Sequence, residues 1–172
     1  MKITVSSPDI TRVHTHCLVI PVHENGRWSA SARKVEAATQ GLISTLVKAG
    51  DIDGRPGAVL MIPAPSGINA QRLLLVGVGE HPDADDFARA AAATAQRLCA
   101  TPATNAVVTL AEISAKGIDP STRARVLAQA LHNATYRFNQ LKTGSGKEAD
   151  KRSGALTRVT LVPGSSKTAS VT

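Results

Sequence analysis

Apolar residues in this chain fall into short runs and helical stripes that alternate along its length. Ile3 and Val5 alternate with polar neighbours and stop at Ser6-Ser7-Pro8, which predicts a short half-buried strand. Cys17-Leu18-Val19-Ile20, followed by Pro21-Val22, is apolar on both faces and predicts a strand interior to a sheet. Two helical stretches come next, over residues 29–38 and 41–49. Leu42, Ile43, Leu46 and Val47 share one side of the second, and Gly50 stands where a helix commonly exits. Residues 51–57, rich in glycine and carrying Pro56, read as a turn-rich connector. The apolar runs 58–62 and 72–76, separated by Pro63, Pro65 and Gly67, predict two buried strands joined by a loop.

From Asp83 the period changes to 3.6. Ala84, Phe87, Ala88, Ala91, Ala92, Ala95, Leu98 and Cys99 form the stripe, and Asp83, Asp85 and Asp86 crowd the first turn, where they favour the helix dipole. Ala88, Ala91, Ala92 and Ala95 are expected on the buried side, allowing close approach to the sheet. A strand over 106–110 follows. Asp119 then caps a helix that has Pro120 in its first turn and Leu127, Ala130, Leu131, Ala134 and Phe138 along one stripe. A polar Gly/Ser/Lys loop from Thr143 leads to a last strand over 156–162 and a Ser/Lys/Thr tail. The order β-β-α-α-β-β-α-β-α-β is that of an α/β fold, a mixed central sheet with helices on both faces.

Composition narrows the choices. In 172 residues, 42% are hydrophobic and 19% charged, the mean hydropathy is −0.03, and the expectation is one core in one globular domain. Aromatic residues are only 2%, so Val, Ile, Leu and Ala must fill that core. Such scarcity argues against a platform on which single-stranded bases stack. Two widely spaced cysteines, Cys17 and Cys99, make no disulfide framework and fit a reducing compartment. No run approaches the length of a membrane span or a secretory leader, so a cytoplasmic protein without membrane partners is expected.

The net charge of +7 is unevenly spread. Residues 142–172 hold a net +4, from Lys142, Lys147, Lys151, Arg152, Arg158 and Lys167 against Glu148 and Asp150. Of these, Lys142, Lys147, Lys151, Arg152 and Arg158 surround the Gly/Ser loop and are the candidate nucleic-acid contacts, since cations of this kind neutralise phosphates and release counterions. Solvated charge on a connector is the bland alternative.

Other chemistry is sparse. Gly77-Val78-Gly79 follows a strand and precedes a helix, as a phosphate-binding turn would. Yet Pro82 stands where the third glycine belongs, and Glu80, Asp83, Asp85 and Asp86 would face the phosphate, so a tight strand exit is the plainer reading. His14, His16, Cys17 and His23 lack the recurrent spacing of a structural zinc site. No Gly-x-Ser-x-Gly occurs, and neither cysteine has a neighbour that would activate it.

Three segments, taken together, carry a resemblance. Gly41-Leu-Ile-Ser-Thr-Leu-Val-Lys-Ala-Gly-Asp-Ile-Asp-Gly-Arg-Pro-Gly57, Arg72-Leu-Leu-Leu-Val-Gly-Val-Gly79 and Tyr136-Arg-Phe-Asn-Gln-Leu-Lys-Thr143 resemble, in this order, the N-terminal domain of the leucyl (cytosol) aminopeptidases. The resemblance implies a macro-domain-like three-layer architecture over residues 1–163, with 164–172 a linker toward a C-terminal catalytic domain. In that family the second domain removes N-terminal residues from peptides with two divalent metal ions, zinc or manganese. Motifs of the type Asn-Thr-Asp-Ala-Glu-Gly-Arg carry its metals, and none occurs here, so no catalytic, metal or cofactor residue is expected in this chain. What the resemblance implies for partners is the catalytic domain of the same polypeptide, a homo-hexamer and, for some bacterial members, duplex DNA. A stand-alone macro-like nucleotide-binding domain is the alternative.

Overall fold

The computed structural model describes residues 1–142 and 156–164, with residues 137–142 described by their backbone. Six strands, β1 (Lys2–Val5), β2 (Cys17–Val22), β3 (Val59–Pro63), β4 (Arg72–Gly77), β5 (Asn105–Val108) and β6 (Arg158–Leu161), form one sheet in the order β1-β6-β5-β2-β4-β3. All neighbours are parallel except the antiparallel β3–β4 pair. Four helices, α1 (Ala30–Ala38), α2 (Leu42–Ala49), α3 (Ala84–Cys99) and α4 (Pro120–Lys142), complete the α/β fold, with a 3-10 turn at Leu110–Glu112. Among the described residues, no helix is long and apolar enough to cross a membrane.

The central strands explain the layering. Every residue of β2 is buried, and alternate side chains serve opposite faces. Leu18, Ile20, Val22, Leu73 and Leu75 pack with Val35 of α1 and Ile43 of α2, while Cys17, Val19, Leu74 and Val76 pack with Phe87, Ala91 and Leu98 of α3 and Leu127 and Leu131 of α4. Helices therefore cover both faces. Pro21 is tolerated inside β2 because the pairing with β5 ends at Val19, whereas that with β4 continues through Pro21 to Val22.

Helix boundaries follow their local signals. Ser29 caps α1 through the Ala32 amide, Gly50 leaves α2 in the left-handed region at φ +81°, and Asp83 and Asp86 form a reciprocal capping box on α3. Three expectations need correction. Strand β3 is half-exposed rather than buried, because it is the sheet edge and pairs with β4 alone. The expected strand over 106–110 ends at Val108, and Leu110 belongs to the 3-10 turn. On α3 the buried stripe is Phe87, Ala90, Ala91, Thr94, Ala95, Leu98 and Cys99, leaving Ala88 and Ala92 exposed. With alanine on every side of that helix, only Phe87 and Leu98 fix which face turns inward.

This packing sets a specific expectation for stability. Ala91 is fully buried, so Ala91→Leu should cost about 1–3 kcal/mol through overpacking, whereas Ala92→Leu and Arg89→Leu should stay within about 0.5 kcal/mol of the parent. Urea denaturation of the three variants checks this, and equal midpoints would contradict the assigned face.

Candidate functional site

Open parallel sheets place ligands outside the carboxyl ends of their strands. Here those ends carry His23 and Glu24 after β2, residues 78–83 after β4 and the 3-10 turn after β5, joined by the connector before β3. Two adjoining clefts of about 840 and 440 Å³ open there, both lined by Glu80 and His81. Arg55, Arg89 and Asp86 line the first, and His23, Arg27 and Lys116 the second.

The glycine turn between them does not cradle an anion. The Gly77 amide donates to the Ala58 carbonyl at 2.7 Å, the Val78 amide to Val22 at 3.0 Å and the Gly79 amide to Gly54 at 2.8 Å, which spends all three donors. A Cβ on Gly77 would sit 2.0 Å from the Arg55 carbonyl oxygen, so glycine is required there for close backbone approach. The tight strand exit expected from the sequence is what forms.

Helix N-termini, the other common anion sites, are filled by carboxylates of the chain itself. Glu112 accepts from the Ser31 amide at 3.1 Å and its hydroxyl at 2.8 Å at the start of α1. Glu36 accepts from the Ile43 and Ser44 amides of α2, and the Asp83–Asp86 box closes α3. Asp119 takes the Ser121 and Thr122 amides and both hydroxyls at the start of α4, which together hold its carboxyl well below the usual range.

The histidines and cysteines do not converge. His16 accepts the Thr104 amide at 3.1 Å at the amino end of the sheet, while His23 lies at the opposite end, its Nδ1 2.9 Å from the Gly79 carbonyl. Cys17 is fully buried between them, and desolvation pushes its thiol up to about 12; burial also raises Cys99. Neither is a poised nucleophile. Among the described residues, no three His, Cys, Asp or Glu side chains are grouped to hold a metal.

Of the basic candidates, Lys142 ends α4 and Arg158 opens β6, exposed, both at the amino end of the sheet. Lys147, Lys151 and Arg152 lie outside the described residues. The charge around Arg158 is one-sided. Apart from Asp9 and Glu36, every described carboxylate lies beyond the strands' carboxyl ends: Glu24, Asp51 and Asp53, the group at 80–86, Glu112 and Asp119. That separation was not legible in the sequence, because it follows from strand direction.

Comparison with known proteins decides the family. Residues 19–145 match the model of the cytosol aminopeptidase family, N-terminal domain. The chain belongs to that family, as its N-terminal domain. A probable cytosol aminopeptidase of Burkholderia multivorans is 42% identical over 131 residues, 74% of this chain and 26% of the relative. The chain spans only 26% to 29% of the length of such relatives. Among solved structures, a tomato leucine aminopeptidase mutant superposes with a TM-score of 0.69 at 18% identity, covering 94% of this chain and 32% of that one. The macrodomain of Mycobacterium tuberculosis DarG gives 0.67 at 14% identity, covering 95% and 99%. At such identities both establish the macro-domain-like fold of the aminopeptidase N-domain, and nothing further.

His23 supplies a pH signature for the carboxyl-end cleft. Burial depresses its pKa below 6.5, with Arg27 and His81 adding to that and the Gly79 carbonyl opposing it. The unfolded chain thus binds the proton more readily, so His23 should lower stability as pH falls below about 6.5 toward its folded-state pKa. Melting temperatures across that window should depend less on pH in His23→Gln. An unchanged slope would remove His23 from the linkage.

Proposed function

We propose that this chain is the non-catalytic N-terminal domain of a metal-dependent aminopeptidase, serving subunit assembly in a cytoplasmic homo-hexamer while the catalytic domain of the same polypeptide cleaves N-terminal residues from peptides. The observation that carries this reading is the family match, made by a chain spanning about a quarter of its relatives' length. Two bridged divalent ions, zinc or manganese, need several carboxylates converging within a few ångströms. In this reading the metals and the hydrolysis belong to the other domain.

The alternative, a macro-like nucleotide binder, has the fold in its favour. Against it stand the spent amides at 77–79 and the carboxylates on all four helix N-termini. DNA binding is the second reading kept, because acidic groups gather at one end of the sheet and Arg158 stands at the other.

Purified chain supplied with zinc, manganese or magnesium should release no product from a leucyl chromogenic substrate above background. Metal-dependent turnover that co-purifies with the polypeptide would overturn the non-catalytic assignment. For the DNA reading, replacing Lys151 and Arg152 by alanine should flatten the slope of log affinity against log salt by about two units, through the loss of two phosphate contacts. Identical slopes would leave that segment as solvated charge.

A further inference from the structure

Strand β3 closes one end of the sheet and pairs with β4 alone. The Gly77 amide donates to the Ala58 carbonyl at 2.7 Å, and the Ala64 amide donates to the Gln71 carbonyl at 2.9 Å. In an antiparallel ladder such bonding alternates, so Leu60 and Ile62, in step with Ala58 and Ala64, also turn their backbone groups toward β4. Those of Val59, Met61 and Pro63 point the other way, off the edge of the sheet. No described residue hydrogen-bonds to them. The open row thus consists of the amides of Val59 and Met61 and the carbonyls of Val59, Met61 and Pro63. Proline is tolerated at its end because the donor it lacks would have faced outward.

Edge strands are ordinarily guarded against pairing with another chain, often by a charged side chain. The opposite edge, β1, has Lys2 in that place. Strand β3, Val-Leu-Met-Ile-Pro, has no charge at all. Val59 is 39% exposed, Met61 packs toward the α3 and α4 side, and Leu60 and Ile62 pack toward the α1 and α2 side, all three only partly buried. An added strand would therefore meet unmet backbone groups along its length and apolar side chains on both faces. It would also run into a cavity, because Arg55, Pro56, Gly57 and Ala58 line the 840 Å³ cleft and lead directly into Val59.

We propose that the β3 edge is a docking site for an extended, uncharged peptide segment, which adds to the sheet as a further strand with its end residue in the cleft. Main-chain hydrogen bonds supply the attraction in such strand addition, and the flanking side chains select for apolar residues. A second copy of the chain fits the edge less well. Two β3 strands related by a two-fold axis share at most four hydrogen bonds, since Pro63 returns none, whereas a peptide satisfies all five groups on this edge. A strand of this length is also only about 17 Å long, which is short for the roughly 1,200 Å² that a stable contact between two folded copies needs.

Amide hydrogen exchange on the whole chain tests the site directly, with a peptide as long as β3, of alternating valine and threonine and blocked at both ends, as the probe. Without peptide, the Val59 and Met61 amides should exchange much faster than those of Leu60 and Ile62. Saturating peptide should slow Val59 and Met61 by about tenfold or more while leaving Leu60 and Ile62 less affected. The same peptide methylated at every amide nitrogen should give no protection. Val59→Lys, at an exposed position, should melt with the parent and lose the peptide effect, since it places a charge on the edge. Unchanged exchange at Val59 and Met61 on adding peptide, or equal protection by the methylated peptide, would overturn the proposal. So would protection of these two amides without peptide: growing with protein concentration, it would assign the edge to a second copy, and at every concentration it would show the edge already covered by the chain itself.

Discussion

Two-sided burial of β2 and β4 is the constraint on which the rest of this domain depends. A parallel strand with apolar side chains on both faces has no surface to offer water, so it is stable only between two helical layers. Leu18 and Ile20 need α1 and α2, and Val19 needs α3 and α4. The chain meets that demand with few aromatic residues by pressing small side chains of α3 against the sheet, with Phe87 as the one aromatic ring of that core among the described residues.

The same constraint organises charge. Helices that return along a parallel sheet bring their N-termini to the carboxyl ends of the strands, and α1, α3 and α4 do so here. Each start needs an acceptor, and Glu112, Asp83 with Asp86, and Asp119 supply it. Helix α2 runs the other way and takes Glu36. Capping thus contributes Glu112, Asp83, Asp86 and Asp119 to the carboxylates at this end of the sheet. The donors at these helix starts are thereby satisfied from within the chain.

Much of this was legible in the sequence because the signals are local. Apolar runs at 17–22 and 72–76, the acidic start at Asp83 and the Asp119-Pro120 pair mark elements that the fold then forms within a residue or two. The three family segments were legible as well, and the match over residues 19–145 agrees with them. What failed depended on neighbours distant in sequence. Val59 to Ile62 is as apolar as an interior strand, and only its place beyond β4 makes it an edge. Ala92 and Ala91 are chemically identical, and the rotation of α3 separates them.

If two-sided burial of the central strands holds the domain together, β2 and β4 open only when the whole domain unfolds. Native-state hydrogen exchange measures this residue by residue. The amides of Leu18 to Ile20 and Leu73 to Leu75 should exchange last, with opening free energies equal to that of global unfolding in denaturant, while those of β1 and β3 at the sheet edges exchange through smaller openings. Central amides that exchange as readily as the edges, or well below the global value, would contradict the account.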